Sequence, residues 1–292
     1  MKRLMEDSIV TDLTRRKNYS AYLQLEQLLS CQTELSNPAH HDEMLFIVQH
    51  QVAELWMKLA IHEIEAAIAL LRDDRLGKAR KCLARVKVIQ KQLYNQWSVL
   101  ETLTPSEYAE FRNVFGNASG FQSPQYRLFE VLLGQRDLKM LSVYAHLPEW
   151  HDRLALAMKS RSIFDEFLAF LARKGHALPE AVLKRDFSAE REVNPEVVDV
   201  LKVIYEDPDA HWKTYEMCEM LVDLANNFQF WRFRHMKTVE RIIGHQHGSG
   251  GSSGVAFLRR ALRQEFFEEL TAVRTAIHTD TLAEDSRPGC PY

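Results

Sequence analysis

His41-Asp-Glu-Met-Leu-Phe-Ile-Val-Gln-His-Gln-Val-Ala-Glu-Leu-Trp-Met-Lys-Leu-Ala-Ile-His-Glu-Ile-Glu-Ala-Ala-Ile-Ala-Leu-Leu71 runs for 31 residues without a glycine or proline. Pro38 precedes it, and Asp42 and Glu43 bring negative charge to the start, where the helix macrodipole favours it. We therefore predict one long helix from about Asp42 to Leu71. At ~100° per residue its apolar side chains fall into two stripes. Met44, Val48, Val52, Leu55 and Leu59 form one; Phe46, His50, Ala53, Met57 and Ile64 form the other. A helix apolar on two sides belongs in the middle of a bundle, with His50 inside. This stretch decides the fold class, because a core helix of that length needs other helices around it.

Those helices are legible on both sides. Tyr19 to about Cys31 reads as a short amphipathic helix. Lys78 to about Leu103 repeats apolar residues at Val86, Ile89, Leu93, Trp97 and Leu100, close to heptad spacing. Thr104-Pro-Ser-Glu107 is a capping box with proline at the first helical position. Ser123-Pro124 and Asn194-Pro195 announce two further starts. One helix is expected from about Glu149 to Gly175, another from about Ala210 to Gly244, and a short one from Val255 to Leu262. Segments 176–194 and 279–292 read as loop and tail. Strand-like alternation is nearly absent. The expected architecture is all-α: an arm over residues 1–18, one helical domain over 19–278 with long antiparallel helices, and a tail over 279–292.

The composition sets limits on function. The chain has 292 residues, is 46% hydrophobic and 26% charged, and has a net charge of −3, which disfavours nucleic acid or an anionic membrane as the main partner. Met1-Lys-Arg-Leu-Met-Glu-Asp7 carries charges where a secretory leader needs an apolar run, and no apolar stretch approaches membrane-spanning length. Cys31, Cys82, Cys218 and Cys290 are scattered, with no C-x-x-C pair. A cytoplasmic location with reduced thiols is the expectation.

Two histidines and one loop carry the chemical interest. Leu224, Phe228, Trp231, His235, Val239 and Ile242 follow the helical period, so His235 sits mid-stripe on a buried face. A hydrogen-bonded core histidine is one reading; an iron ligand in a protein-enclosed porphyrin is the other. His50 on its own helix could face such a flat cofactor from the opposite side. Tyr108 and Arg112 lie one turn apart, and arginine is the side chain that grips a carboxylate by a two-point fork. Thirteen residues after His235 comes Gly248-Ser-Gly-Gly-Ser-Ser-Gly254, which holds four of the eleven glycines. Such a loop aims free N–H groups and hydroxyls at whatever lies before the next helix. Other motifs fail: His62-Glu-Ile-Glu-Ala66 has alanine where a zinc protease needs histidine, and the glycine run lacks the lysine of a P-loop. His245-Gln-His247 reads as a solvated turn.

Three segments together resemble the tryptophan 2,3-dioxygenase family: His41–Trp56, Phe111-Arg-Asn-Val-Phe-Gly-Asn-Ala-Ser-Gly-Phe-Gln-Ser-Pro-Gln-Tyr-Arg127, and Trp231-Arg-Phe-Arg-His-Met-Lys-Thr-Val-Glu-Arg-Ile-Ile-Gly244. The glycine-rich loop does so too, and the resemblance runs from about Tyr19 to Phe267 with its motifs in order. It implies an all-helical homotetramer with one b-type haem per subunit, ferrous in the active state. His235 would be the proximal iron ligand. His50 would be the distal catalytic residue, bonded to the indole N–H. Arg112, assisted by Tyr108, would hold the α-carboxylate, and Ser249 would meet the amino-acid end of the substrate. Phe46 would wall the indole, while Ser119 and Gly120 would line the distal side of the haem. Tyr19, Tyr22 and Leu23 would complete a neighbouring subunit's pocket. The implied reaction inserts both atoms of O2 across the indole C2–C3 bond of L-tryptophan, giving N-formyl-L-kynurenine for the kynurenine pathway.

The chain departs from the family pattern at Ser249, where threonine is usual. One lost methyl is worth about 0.8 kcal/mol if buried. The change keeps a second enzyme reading open, a paralogue of secondary metabolism that oxygenates a modified tryptophan and inserts one oxygen atom. A haem-binding sensor needs no amino-acid clamp, so Tyr108, Arg112, His50 and Ser249 argue against it. A helical scaffold without cofactor is the remaining reading.

Overall fold

The computed structural model describes residue 9 and residues 18–284, with side chains described as far as residue 277. The expected arm over 1–18 lies almost wholly outside that range, as do residues 285–292. Fourteen α-helices occur among the described residues, with no strand. Helices α1 (Tyr19–Leu23) and α2 (Leu25–Leu28) lead to α3 (His41–Arg72), α4 (Leu76–Asn95), α5 (Trp97–Leu100) and α6 (Pro105–Phe111). After two 3-10 turns come α7 (Pro124–Leu133), α8 (Pro148–Lys159), α9 (Ile163–Arg173) and α10 (Glu180–Leu183). Then follow α11 (Pro195–Glu206), α12 (Trp212–Ile243), α13 (Val255–Ala261) and α14 (Glu268–Glu284).

Local chemistry explains the boundaries. The predicted capping box is present: Glu107 N–H donates to Thr104 Oγ1 at 3.4 Å, and Thr104 N–H donates to Glu107 Oε2 at 2.7 Å. Ser123 and Asn194 cap α7 and α11, each followed by proline. Five expectations needed correction. The 78–103 helix is interrupted at Gln96, which separates α4 from α5. The 19–31 helix is broken at Gln24, which adopts φ 52°. The 149–175 helix is two helices. Ser162 accepts from Asp165 N–H at 3.2 Å and starts α9 afresh, while Arg136 Nη2 takes the Ser160 carbonyl at 2.9 Å. The 176–194 loop contains α10. Residues 279–284 continue α14 rather than opening a tail.

Three long helices make the frame. A tight turn with Asp74 at φ 58° reverses the chain, so α4 runs antiparallel to α3, and Arg85 pairs with Glu63 across them. Helix α12 packs on α4 but runs parallel to it: Arg80 meets Glu216 at 2.6 Å, and further along Gln90 Nε2 donates to the Leu224 carbonyl at 3.0 Å. Leu71, Leu83, Val86, Leu93, Leu221, Leu224 and Phe228 are fully buried between the helices. The beginning of α3, the end of α4 and the last third of α12 therefore meet at one end of the bundle.

The two stripes of α3 have different fates. Ile64 and Met57 are buried, but on the other side Val48, Leu55 and Leu59 remain 40, 48 and 37% exposed. The expectation that both stripes would be covered fails within one chain, because the helices that contact α3 pack on its other side. Among the described residues no helix is long and apolar enough to cross a membrane.

Candidate functional site

The end of the bundle where α3, α4 and α12 meet holds both histidines singled out in the sequence. His50 Nδ1 lies 2.7 Å from the Phe46 carbonyl. A carbonyl only accepts, so Nδ1 carries the hydrogen and Nε2 is left with its lone pair. Burial pushes the pKa of His50 down, against smaller upward pulls from the Phe46 carbonyl and Glu54. On α12, burial and then the neighbouring His50 push His235 down to about 4. Each imidazole is thus neutral at pH 7, and the two are close enough to influence one another. Neither ring nitrogen of His235 has a hydrogen-bond partner among the described residues.

His235 is held by packing and by its neighbours on α12. Its ring stacks on Trp97 with centroids 4.7 Å apart and planes 8° apart. One residue before it, Arg234 grips Glu101 with Nε at 3.1 Å and Nη2 at 2.9 Å. Thr238 Oγ1 donates to the same carboxylate at 2.9 Å. These bonds tie the turn of α12 that carries His235 to the segment after α5. Trp97 was read from its heptad spacing as a core residue, and it is buried; its contact with His235 came only with the parallel packing of α4 and α12.

Aromatic rings wall the His50 side. Phe46 lies 4.2 Å from His50 by ring centroids and stacks on Phe115 at 5.1 Å and 4°. Tyr108 and Phe111 also contact Phe46, both at 5.9 Å. Burial raises the pKa of the Tyr108 hydroxyl, opposed by Arg112. Phe111 and Phe115 were given no role in the sequence, although with Tyr108 they follow the i, i+3, i+7 spacing of one helix face; α6 itself ends at Phe111 and a 3-10 turn follows.

The loops close over this wall. Arg112 Nη1 donates to Gln246 Oε1 at 2.5 Å and Nη2 donates to the His247 carbonyl. Ser249 Oγ donates to the Ala118 carbonyl at 2.6 Å. Ser119 caps the second 3-10 turn, which begins at Gly120, and it presses on the glycine loop. A Cβ at Gly250 would lie 2.6 Å from Ser119 Cβ, so only glycine permits that approach. The structure thus brings Phe46, His50, Tyr108, Arg112, Ser119, Gly120, Ser249 and His235 to one end of the molecule. Tyr19 and Tyr22, by contrast, stand 74 and 75% exposed, and Leu23 is exposed as well. The His245–His247 turn gives Arg112 a backbone acceptor, and no group of three or more His, Cys, Asp or Glu side chains suited to a metal occurs among the described residues.

A buried ionic clamp lies behind the cleft, one turn from His235. Arg232 Nη2 donates to Glu130 Oε1 at 2.5 Å, Nε to the Tyr126 hydroxyl at 3.0 Å, and Nη1 to the Ala261 and Gln264 carbonyls, each at 3.1 Å. Arg127 takes the other oxygen of Glu130. The clamp joins α12 to α7, to the end of α13 and to the chain just after it.

The fold is thus an all-α bundle that gathers two neutral imidazoles, an aromatic wall and a glycine loop at one end. The family model for tryptophan 2,3-dioxygenase matches residues 6–147 and 198–277. The chain is 53% identical to the tryptophan 2,3-dioxygenase of Serratia proteamaculans over 276 residues, covering 94% of this chain and 99% of that one. It is 54% identical to those of Arthrobacter sp. and Myxococcus xanthus, over 94% of this chain and 97 and 95% of theirs. The chain belongs to the tryptophan 2,3-dioxygenase family of enzymes. Residues 148–197, between the two matched stretches, hold α8, α9, α10 and the first turn of α11 and contribute none of the residues named at that end of the bundle.

Proposed function

We propose that this chain uses haem b to add both atoms of O2 across the indole C2–C3 bond of L-tryptophan, giving N-formyl-L-kynurenine. The observation that carries this reading is that the start of α3 with His50 and the last third of α12 with His235 meet at one end of the bundle, in a chain of this family. The residues suit a haem. The His235 ring nitrogens are free of partners, its ring plane is fixed by Trp97, and the buried Nε1–H groups of Trp97 and Trp231 lack acceptors among the described residues. His235 is the proposed iron ligand, and bound ferrous haem supplies the centre at which dioxygen reacts.

The protein's own task is placement. With Nδ1–H held by Phe46, His50 turns a lone pair at Nε2 toward the indole N–H and accepts its hydrogen bond. The indole N–H is a very weak acid, so His50 orients the ring rather than abstracting the proton. Phe46 and its aromatic neighbours exclude water and limit the tilt of the indole. Arg112 and the free hydroxyl of Tyr108 receive the carboxylate, while Ser249 and the Ser119–Gly120 turn close the amino-acid end. The exposed stripe Val48, Leu55 and Leu59 supports a homo-oligomer, and in the proposed tetramer Tyr19, Tyr22 and Leu23 complete a neighbour's pocket. Such an enzyme works in the cytoplasm.

Labelled dioxygen tests the reaction. The ferrous enzyme with L-tryptophan should yield a product carrying both labelled atoms; a product with one would replace this reading by the mono-oxygenase alternative. For the carboxylate, Arg112→Lys keeps the charge but loses the planar fork. The Michaelis constant for L-tryptophan should rise about tenfold or more, the worth of one charge-assisted hydrogen bond. An unchanged constant would remove Arg112 from that role.

A further inference from the structure

The guanidinium assigned to the carboxylate is itself held by the glycine-rich segment. Of the five N–H groups of an arginine, Arg112 commits one on Nη1 to Gln246 Oε1 at 2.5 Å and one on Nη2 to the His247 carbonyl. The other three have no partner among the described residues. Gln246 is exposed, but its backbone is anchored. Gly244, at φ 58°, ends α12 two residues before it, and the Gln246 N–H donates to the Ile243 carbonyl at 3.3 Å. The Gln246 carbonyl lies only 2.3 Å from where a Cβ would stand on Gly254, so the start of α13 closes directly on it. Ser249, three residues on, is fastened to Ala118 at 2.6 Å. The side-chain oxygen of Gln246 thus extends from an anchored backbone and takes one edge of the guanidinium.

We propose that Gln246 is a positioning residue for substrate recognition: with the His247 carbonyl it fixes the plane of Arg112, so that the free N–H groups are presented to the carboxylate. A guanidinium held at two points cannot swing about its last side-chain torsions, and the rotational freedom lost on binding a carboxylate is already spent. The same contact couples carboxylate capture to the seating of the glycine loop. The inference rests on Arg112 being the carboxylate ligand.

The test uses the haem-loaded enzyme and two ligands, L-tryptophan and tryptamine, which lacks the carboxylate. Gln246→Met keeps the side-chain length and removes the strong acceptor. It should weaken L-tryptophan binding and raise its Michaelis constant about fivefold, with kcat within about twofold, and leave tryptamine binding unchanged. Gln246→Ala should behave alike. In an Arg112→Ala background, Gln246→Met should add no further loss. Equal weakening of both ligands would mean that Gln246 only shapes the loop, and unchanged L-tryptophan binding in Gln246→Met would overturn the proposal while leaving Arg112 in place. If Arg112→Ala itself leaves L-tryptophan binding unchanged, the reading of Arg112 falls and this inference with it.

Discussion

His235→Ala is expected to give a folded helical protein that no longer retains haem. Alanine is the best helix former, so α12 keeps its backbone. The ring that stacks on Trp97 is lost, together with the neutral nitrogen proposed to bind iron. Removing a group that merely supports a metal ligand typically weakens metal affinity 10–100-fold, so losing the ligand itself should cost about a hundredfold or more. Absorption spectroscopy after gel filtration reads the result directly: the haem band should vanish from the protein fraction while the helical circular dichroism persists. Added imidazole should restore part of the band by filling the vacated space. Full haem retention by His235→Ala would refute the axial assignment, and loss of helicity would instead show that His235 is needed for the fold.

A larger loss of stability is expected one turn away, at Arg232. Its side chain is 5% exposed and serves Glu130, Tyr126, Ala261 and Gln264 at once, so Arg232→Met leaves a buried carboxylate short of a cation and two carbonyls short of donors. Breaking one side of a buried pair costs about 3–5 kcal/mol. Arg127 remains on the other oxygen of Glu130, which points to the lower end, about 3 kcal/mol. Thermal unfolding at a fixed scan rate should begin about 5–10 °C lower. The double variant Arg232→Met with Glu130→Gln should recover part of that loss, since it removes the stranded charge along with its partner. A double variant no better than the single one would locate the effect in the lost packing and carbonyl contacts.

The clamp also clarifies why two of the sequence segments that carried the resemblance contain residues with no place in the cleft. Tyr126 and Arg127 in one segment, and Arg232 in the other, form a single buried network that sets where α12 lies against α7. His235 and Arg232 are three residues apart on α12, so they lie one turn apart on the same face, and the turn that anchors the helix adjoins the turn that carries the histidine. Burial raises the pKa of the Tyr126 hydroxyl, which therefore stays protonated beside Glu130. Position and chemistry are supplied by adjacent turns of the same helix.

Periodicity, capping chemistry and proline placement are local properties, and the all-α class was legible from them. The stripe of α3, the Thr104–Glu107 box and the starts at Pro124 and Pro195 depend on residues within a few positions of one another. His50, Arg112 and His235 could be singled out as unusual for their surroundings, and the resemblance supplied their roles. The break at Ser160–Ser162 has a local signal that the sequence reading missed, the Ser162–Asp165 capping box, and Arg136, distant in sequence, adds to it by taking the Ser160 carbonyl. Nor could the sequence tell that only one stripe of α3 would be covered within a single chain.

By itself, then, the sequence determined which segments are helical and which residues are chemically out of the ordinary, since both follow from side chains and their near neighbours. Only the tertiary structure decided that α12 runs parallel to α4, and that single choice lays Trp97 on His235 and brings His235 to the end where α3 holds His50. The structure alone also turned Arg112 toward Gln246. These contacts join residues far apart in the chain, and their geometry is set by how whole helices pack, which no local pattern encodes.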